Sequence, residues 1–203
     1  HPHPGWAEQN PRDWWDALGR AVRSAVASSS SSGRARDDVV AICVDTTCCS
    51  VVALDEHFEP LRPCLLWMDG RSAPQAREIM DVAGGGGGDD DDGGGDPALR
   101  VNNDGRGPIS AEWMLPKAMW LRENEPDVYR RATYVCEYQD YINEKLTGVY
   151  CGSSCNAASR WHFDGVDCLD DDSDDDDKPP RRGRPASLYD KVNIPDLLQK
   201  LPR

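Results

Sequence analysis

VVAICVDTTCCSVVALDEHFEPLRPCLLWMDGR, residues Val39 to Arg71, is the stretch on which the fold turns. Val39 to Val44 is apolar and rich in β-branched residues, which predicts a buried strand. A small polar elbow follows, Asp45-Thr46-Thr47-Cys48-Cys49-Ser50. Val51 to Leu54 then predicts a second strand, with a turn over Asp55 to Glu59. Cys64 to Trp67 is a third short apolar run, closed by Trp67-Met68-Asp69-Gly70-Arg71. Strand ends of this kind gather small polar groups, an aromatic ring, a carboxylate and a guanidinium. That mixture suits a polyhydroxylated ligand: Trp67 can cover a sugar face, Asp69 can accept from hydroxyls, and Arg71 can brace Asp69.

The Trp67-x-Asp69-x-Arg71 ending, after a hairpin leading into Leu61-Arg62-Pro63, resembles the N-terminal domain of the FGGY carbohydrate kinases. The elbow is similar to the ribulokinase-like members, and differs from the xylulokinases, which tend to carry Met-His at the Cys48-Cys49 position. The opening Pro2-His3-Pro4-x-Trp6-x-Glu8-Gln9-x-Pro11-x-x-Trp14-Trp15 instead resembles xylulokinases. Glu112-Trp113-Met114-x-Pro116-Lys117 is again similar to ribulokinases, and Asp140-Tyr141 with Leu146-Thr147-Gly148 resembles a further family segment.

The resemblance implies an α/β fold of the ribonuclease H-like, actin and hexokinase type, here a partial sugar-binding domain over 1–203, incomplete at both ends. It implies Cys48, Cys49, Trp67, Asp69, Arg71, Glu112, Trp113 and Arg160 as substrate-binding residues. Trp113 would line the sugar pocket, and Arg160 would reach the sugar or its developing phosphate. The reaction implied is transfer of the γ-phosphate of ATP, with Mg2+, to a terminal hydroxyl of a pentulose. Ribulose is favoured by the elbow and Trp113, with xylulose or a polyol as alternatives.

Phosphoryl transfer needs a phosphate cradle, a metal ion and a carboxylate base. In the family the cradle lies upstream of this chain's start and the base lies beyond its end, followed by the ATP-binding domain. No residue here is therefore assigned as catalytic, cofactor-binding or metal-ligating, and the chain alone is expected to be inactive. The elbow also resembles the first phosphate hairpin of actin-like ATPases, but it lacks the glycines that let amides reach phosphate, which assigns it to the sugar side.

Composition is consistent with this and does not force it. A chain of 203 residues can hold one domain with a substantial core. Its net charge of -13 is dominated by eleven aspartates in the runs 89–92 and 170–177. Without them the balance is about -2, ordinary for a soluble chain. The basic block Lys178 to Arg184 has no interleaved aromatics, so nucleic acid is not expected as a partner. No apolar stretch approaches the roughly 20 residues that span a bilayer. Most of the eight cysteines sit in or beside apolar runs, where thiols behave as small hydrophobes, so a reduced, cytoplasmic protein is expected. An organellar location stays open, as does a homodimer. Neither His1 with His3 nor Cys151 with Cys155 completes a zinc set.

Asn10 and Pro11 predict the start of an amphipathic helix with Trp14, Leu18, Ala21, Val22 and Ala25 on one face. Further helices are predicted over Ser72 to Val82, from a Ser110 cap, over Glu125 to Arg131, over Glu137 to Leu146, and in a short pattern after Leu188. Thr133 to Cys136 predicts a strand. Val149 to Trp161 is small and polar, suited to close approach of a ligand. Disordered low-complexity insertions are expected at about 28–36, 83–97 and 169–186. Two other classes stay open: a non-catalytic sugar-binding or interaction module, and an extracellular disulfide protein.

Overall fold

The computed structural model describes residues 3–30, 38–84, 96, 99, 108–163 and 183–202. The elements run β1 (Glu8–Gln9), α1 (Pro11–Ser30), β2 (Val51–Leu54), β3 (Cys64–Leu65), α2 (Ala73–Ala83), α3 (Met114–Asn124), α4 (Pro126–Arg131), β4 (Tyr134–Glu137), α5 (Tyr138–Thr147), α6 (Ser154–Arg160) and α7 (Ala186–Lys191). A 3-10 turn over Pro195–Gln199 follows.

The strands form one antiparallel sheet in the order β1-β3-β2-β4. Register pairs Val51 with Glu137, Val52 with Cys136, Ala53 with Val135 and Leu54 with Tyr134. Side chains alternate across a strand, so this register divides the apolar residues between two faces. Val51, Ala53, Leu65 and Val135 pack beneath α2, α3 and α7 with Ile79, Leu115 and Leu188. Val52, Leu54, Cys64 and Cys136 face the other way, against α5, Phe58 and Tyr141, with Trp14, Leu18 and Tyr150 at the margin. All four residues of β2 are buried, and each large aliphatic side chain closed off this way contributes about 1.5–3 kcal/mol.

Val39 to Val44 departs from expectation. It belongs to no strand, and Val39, Val40 and Ile42 are exposed, Val40 at 96%. β propensity alone does not make a strand; a ladder partner does. Among the described residues β2 pairs with β3 and β4, and none pairs with this run.

Helix ends also moved. Asn10 opens α1 as expected: its side-chain oxygen accepts the Arg12 N–H at 3.1 Å. The first turns of α1 pack through Trp14 and Leu18, while Ala21, Val22 and Ala25 are exposed. The cap of α3 is Trp113 rather than Ser110, whose hydroxyl instead accepts the Glu112 N–H at 3.2 Å in a turn. Gly148 ends α5 at φ +70, the left-handed position that glycine supplies. The expected insertions lie mostly outside the described residues, but residues 28–30 complete α1, Ala83 ends α2 with Gly84 as its cap, and Gly183 to Ala186 is described. No described helix is long and apolar enough to cross a membrane.

Candidate sugar-facing site

The elbow is built by two buried ionisable side chains, Glu137 and Lys117. Cys49 takes φ +69, a left-handed conformation that is costly for a residue with a side chain. Its N–H donates to Glu137 Oε1 at 2.9 Å, and the Ser50 N–H donates to Glu137 Oε2 at 3.3 Å. Its carbonyl accepts from Lys117 Nζ at 2.8 Å. The same ammonium donates to the carbonyls of Leu66 at 2.7 Å and Trp67 at 3.2 Å. The Trp67 N–H donates to Ser50 Oγ at 3.2 Å. The elbow and the end of β3 are thereby stitched together.

Burial shifts both groups. It pushes Glu137 up to about 8, against the two amides that favour its charged form. It pulls Lys117 down to about 8, opposed by nearby acidic groups. Burial likewise pushes the Cys49 thiol far up, so that this sulfur stays protonated.

The members of the Trp67 to Arg71 motif part company. Trp67 and Met68 are exposed, at 41% and 44%. Asp69 is fully buried and Arg71 nearly so. Asp69 accepts from the Ala7 N–H at 2.6 Å, the Arg71 N–H at 3.0 Å, Arg71 Nε at 2.8 Å and Arg71 Nη2 at 2.7 Å. Burial would raise its carboxyl, but the bonds from Arg71 and Ala7 outweigh that and hold it below its ordinary value. Arg71 also meets Glu8 at 2.7 Å and stacks between Trp6 and Trp120, 3.8 and 4.8 Å from their ring centres. Asp69 and Arg71, expected to contact a ligand, are here bonded to each other and to the N-terminal segment. Asp69 and the Nε and Nη2 groups of Arg71 pin the N-terminal segment, while Arg71 Nη1 is buried without a hydrogen-bond partner among the described residues.

Trp113 stands one residue before α3 and four before Lys117, about one helical turn from the elbow clamp. Its ring is half-buried, with the Arg160 guanidinium 5.2 Å from its centre and the His162 ring 5.9 Å away edge-on. Arg160 closes α6, a helix that the sequence pattern did not reveal because Val149 to Trp161 is dominated by small polar residues. α6 is anchored by Ser153 N–H to Asp140 at 3.2 Å and by Asn156 to Gln139 at 2.9 Å, and Gln139 in turn holds the Val44 carbonyl at 3.1 Å. Glu112 is exposed beside Trp113, and Cys48 is partly exposed on the elbow. Cys48, Trp67, Trp113, Arg160 and Glu112 keep solvent-facing surface, while Cys49 supplies the bend of the elbow.

Lys117 and Glu137 hold the elbow although the sequence reading did not single them out, and each carries a signal. Lys117 is a lone charge inside the apolar run Met114 to Leu121, and long cations are rarely buried unless paired. Glu137 begins Glu-x-x-Asp, and it forms a reciprocal capping box with Asp140.

The elbow does not fit a nucleotide phosphate or its metal. Its Cys49 and Ser50 amides already hold a carboxylate, and among the described residues no group of three His, Cys, Asp or Glu side chains could hold a metal ion.

Comparisons with known proteins identify the chain's family. The chain is 34% identical over 166 residues to a xylulose kinase of Streptomyces coelicolor, covering 81% of this chain and 31% of that one. It is 30% identical over 172 residues to a ribulokinase of Halalkalibacterium halodurans, covering 77% of this chain and 28% of that one. The solved structure of a xylulose kinase from Rhodospirillum rubrum superposes with a TM-score of 0.67 at 26% identity, covering this whole chain and 35% of that one. The chain thus spans about a third of the length of the relatives it matches. Residues 1–168 match the model of the FGGY family of carbohydrate kinases, N-terminal domain, and this chain belongs to that family.

Proposed function

We propose that this chain forms the sugar-binding side of an ATP-dependent kinase that phosphorylates a ketopentose at a terminal hydroxyl. The observation that carries the proposal is the joining of the Cys48-Cys49 elbow to the Trp67 end of β3 through Lys117 and Ser50. The rings of Trp67 and Trp113 offer apolar faces to a sugar, Glu112 offers an acceptor for hydroxyls, and Cys48 lets the backbone come close. Arg160, held over Trp113, places a permanent cation for the sugar or the phosphate it gains. Asp69 and Arg71 serve by holding β1 and the Trp67 turn in place. ATP with its Mg2+ supplies the phosphoryl group, and regions of the protein other than the described residues hold it.

Xylulose is the first candidate substrate, because the more identical relatives bear that name. Ribulose is the second, favoured by the Cys48-Cys49 elbow and the Glu112-Trp113-Met114 motif. A coupled ADP-release assay on the whole protein with D-xylulose, D-ribulose and glycerol tests this. Turnover of one pentulose is expected, with none by the 203-residue chain alone. Turnover of glycerol only would overturn the substrate class. Pentulose binding without ADP release would make the protein a sugar-binding module instead.

A further inference from the structure

We infer that Lys117 and Glu137 are positioning residues: they grip the carbonyl and the amide of Cys49, hold it left-handed, and so fix the sugar-facing elbow against β3 and α6. This rests on the sugar-side assignment proposed above. Three geometric facts support it. Cys49 lacks the freedom of glycine yet sits at φ +69, a conformation that persists only where its surroundings impose it. The two groups that impose it are an ammonium and a carboxylate, each buried and each bonded to backbone of the elbow. Lys117 is shared among Cys49, Leu66 and Trp67, so removing it frees both walls of the site together.

Glu137 extends the clamp in another direction. Its own N–H donates to Asp140 Oδ2 at 3.0 Å, and Asp140 Oδ1 accepts from Ser153 at the start of α6. The elbow, the capping box of α5 and the helix carrying Arg160 are thus one hydrogen-bonded chain. Neither Lys117 nor Glu137 reaches solvent, so their effect on a ligand acts through the backbone they hold.

The test uses the whole protein with Lys117→Met, Glu137→Gln and Cys49→Gly, alone and combined. Amide hydrogen exchange reads the clamp without any ligand. Exchange at Cys49 and Ser50 is expected to quicken at least tenfold in Lys117→Met and Glu137→Gln, with protection in β2 and β4 retained. Glu137→Gln keeps the shape and one acceptor, so it remains informative if Lys117→Met does not fold. Pentulose affinity, read by isothermal titration, is expected to fall at least tenfold in both variants. Because glycine takes a left-handed φ freely, Cys49→Gly is expected to restore part of that loss in combination with Lys117→Met. Unchanged exchange overturns the clamp. Quickened exchange with pentulose affinity within twofold of the parent overturns its link to the ligand. A parent that binds no pentulose refutes the sugar-side assignment, and with it the link to the ligand, while exchange still decides the clamp itself.

Discussion

Asp69→Asn separates a ligand contact from a structural bracket. The carboxylate accepts four bonds, three of them from Arg71, and none of its surface meets solvent. Asparagine keeps one acceptor and turns an amide donor toward N–H groups that need acceptors. Removing one partner of a buried pair costs roughly 3–5 kcal/mol. Glu8 remains on Arg71 Nη2, which favours about 3 kcal/mol, the low end of that range. For a chain of this size each kcal/mol moves the melting temperature by about 2–4 °C, so a fall of roughly 6–12 °C is expected. Tryptophan fluorescence follows the loss, because Trp6 and Trp120 sandwich the Arg71 guanidinium. Thermal and urea unfolding of the 203-residue chain gives the number, and titration of the whole protein with pentulose gives the affinity. A melt within ~2 °C of the parent, together with a tenfold loss of sugar affinity, would refute the bracket and return Asp69 to the ligand.

Two further outcomes follow from the same geometry. Burial raises the folded-state pKa of Glu137 from 4.5 to about 8, so the stability it contributes is present at acid pH and is lost as pH rises through that window. Asp140 and Lys117 face it alongside the Cys49 and Ser50 amides; burial raises Asp140 in the same direction, to about 6. Unfolding free energies from urea titration are expected to fall between pH 6 and 8, Glu137 contributing at most about 1.4 kcal/mol per pH unit and Asp140 adding to it near pH 6, and Glu137→Gln should flatten that slope. Gly148→Ala meets no atom within 4 Å but must adopt φ +70, so backbone strain alone should cost about 1 kcal/mol, read as a lower melting temperature.

What could be read from the sequence was set by how local the cause is. The helix starting at Pro11, the turn over Asp55 to Glu59 and the stop at Gly148 depend on residues within a few positions, and each appears where expected. Val39 to Val44 has the composition of a strand and forms none, because a strand needs a neighbour and no local pattern reports one. α6 escaped notice because serine, alanine and asparagine carry weak helical signals; its cap is the Ser153 hydroxyl and its anchor is Asp140, thirteen residues back. Lys117 and Glu137 were hidden for the same reason. Their partners lie 68 and 88 residues away, beyond any pattern of spacing.

The division within Trp67 to Arg71 has a physical logic. A carboxylate that binds a sugar must be satisfied in two states, by hydroxyls when occupied and by water when empty. Asp69 has no access to water, and a buried charge without partners is prohibitively costly, so its four protein donors must be permanent. Aromatic rings carry no such penalty. Trp67 can stand exposed when empty and gain by being covered, so it can serve a transient ligand. A motif that looks like one constellation in sequence is therefore two devices in space, an ionic pin facing inward and an apolar face turned out. The elbow repeats the pattern: Lys117 and Glu137 are closed in and bound to backbone, while Cys48 beside them keeps its surface.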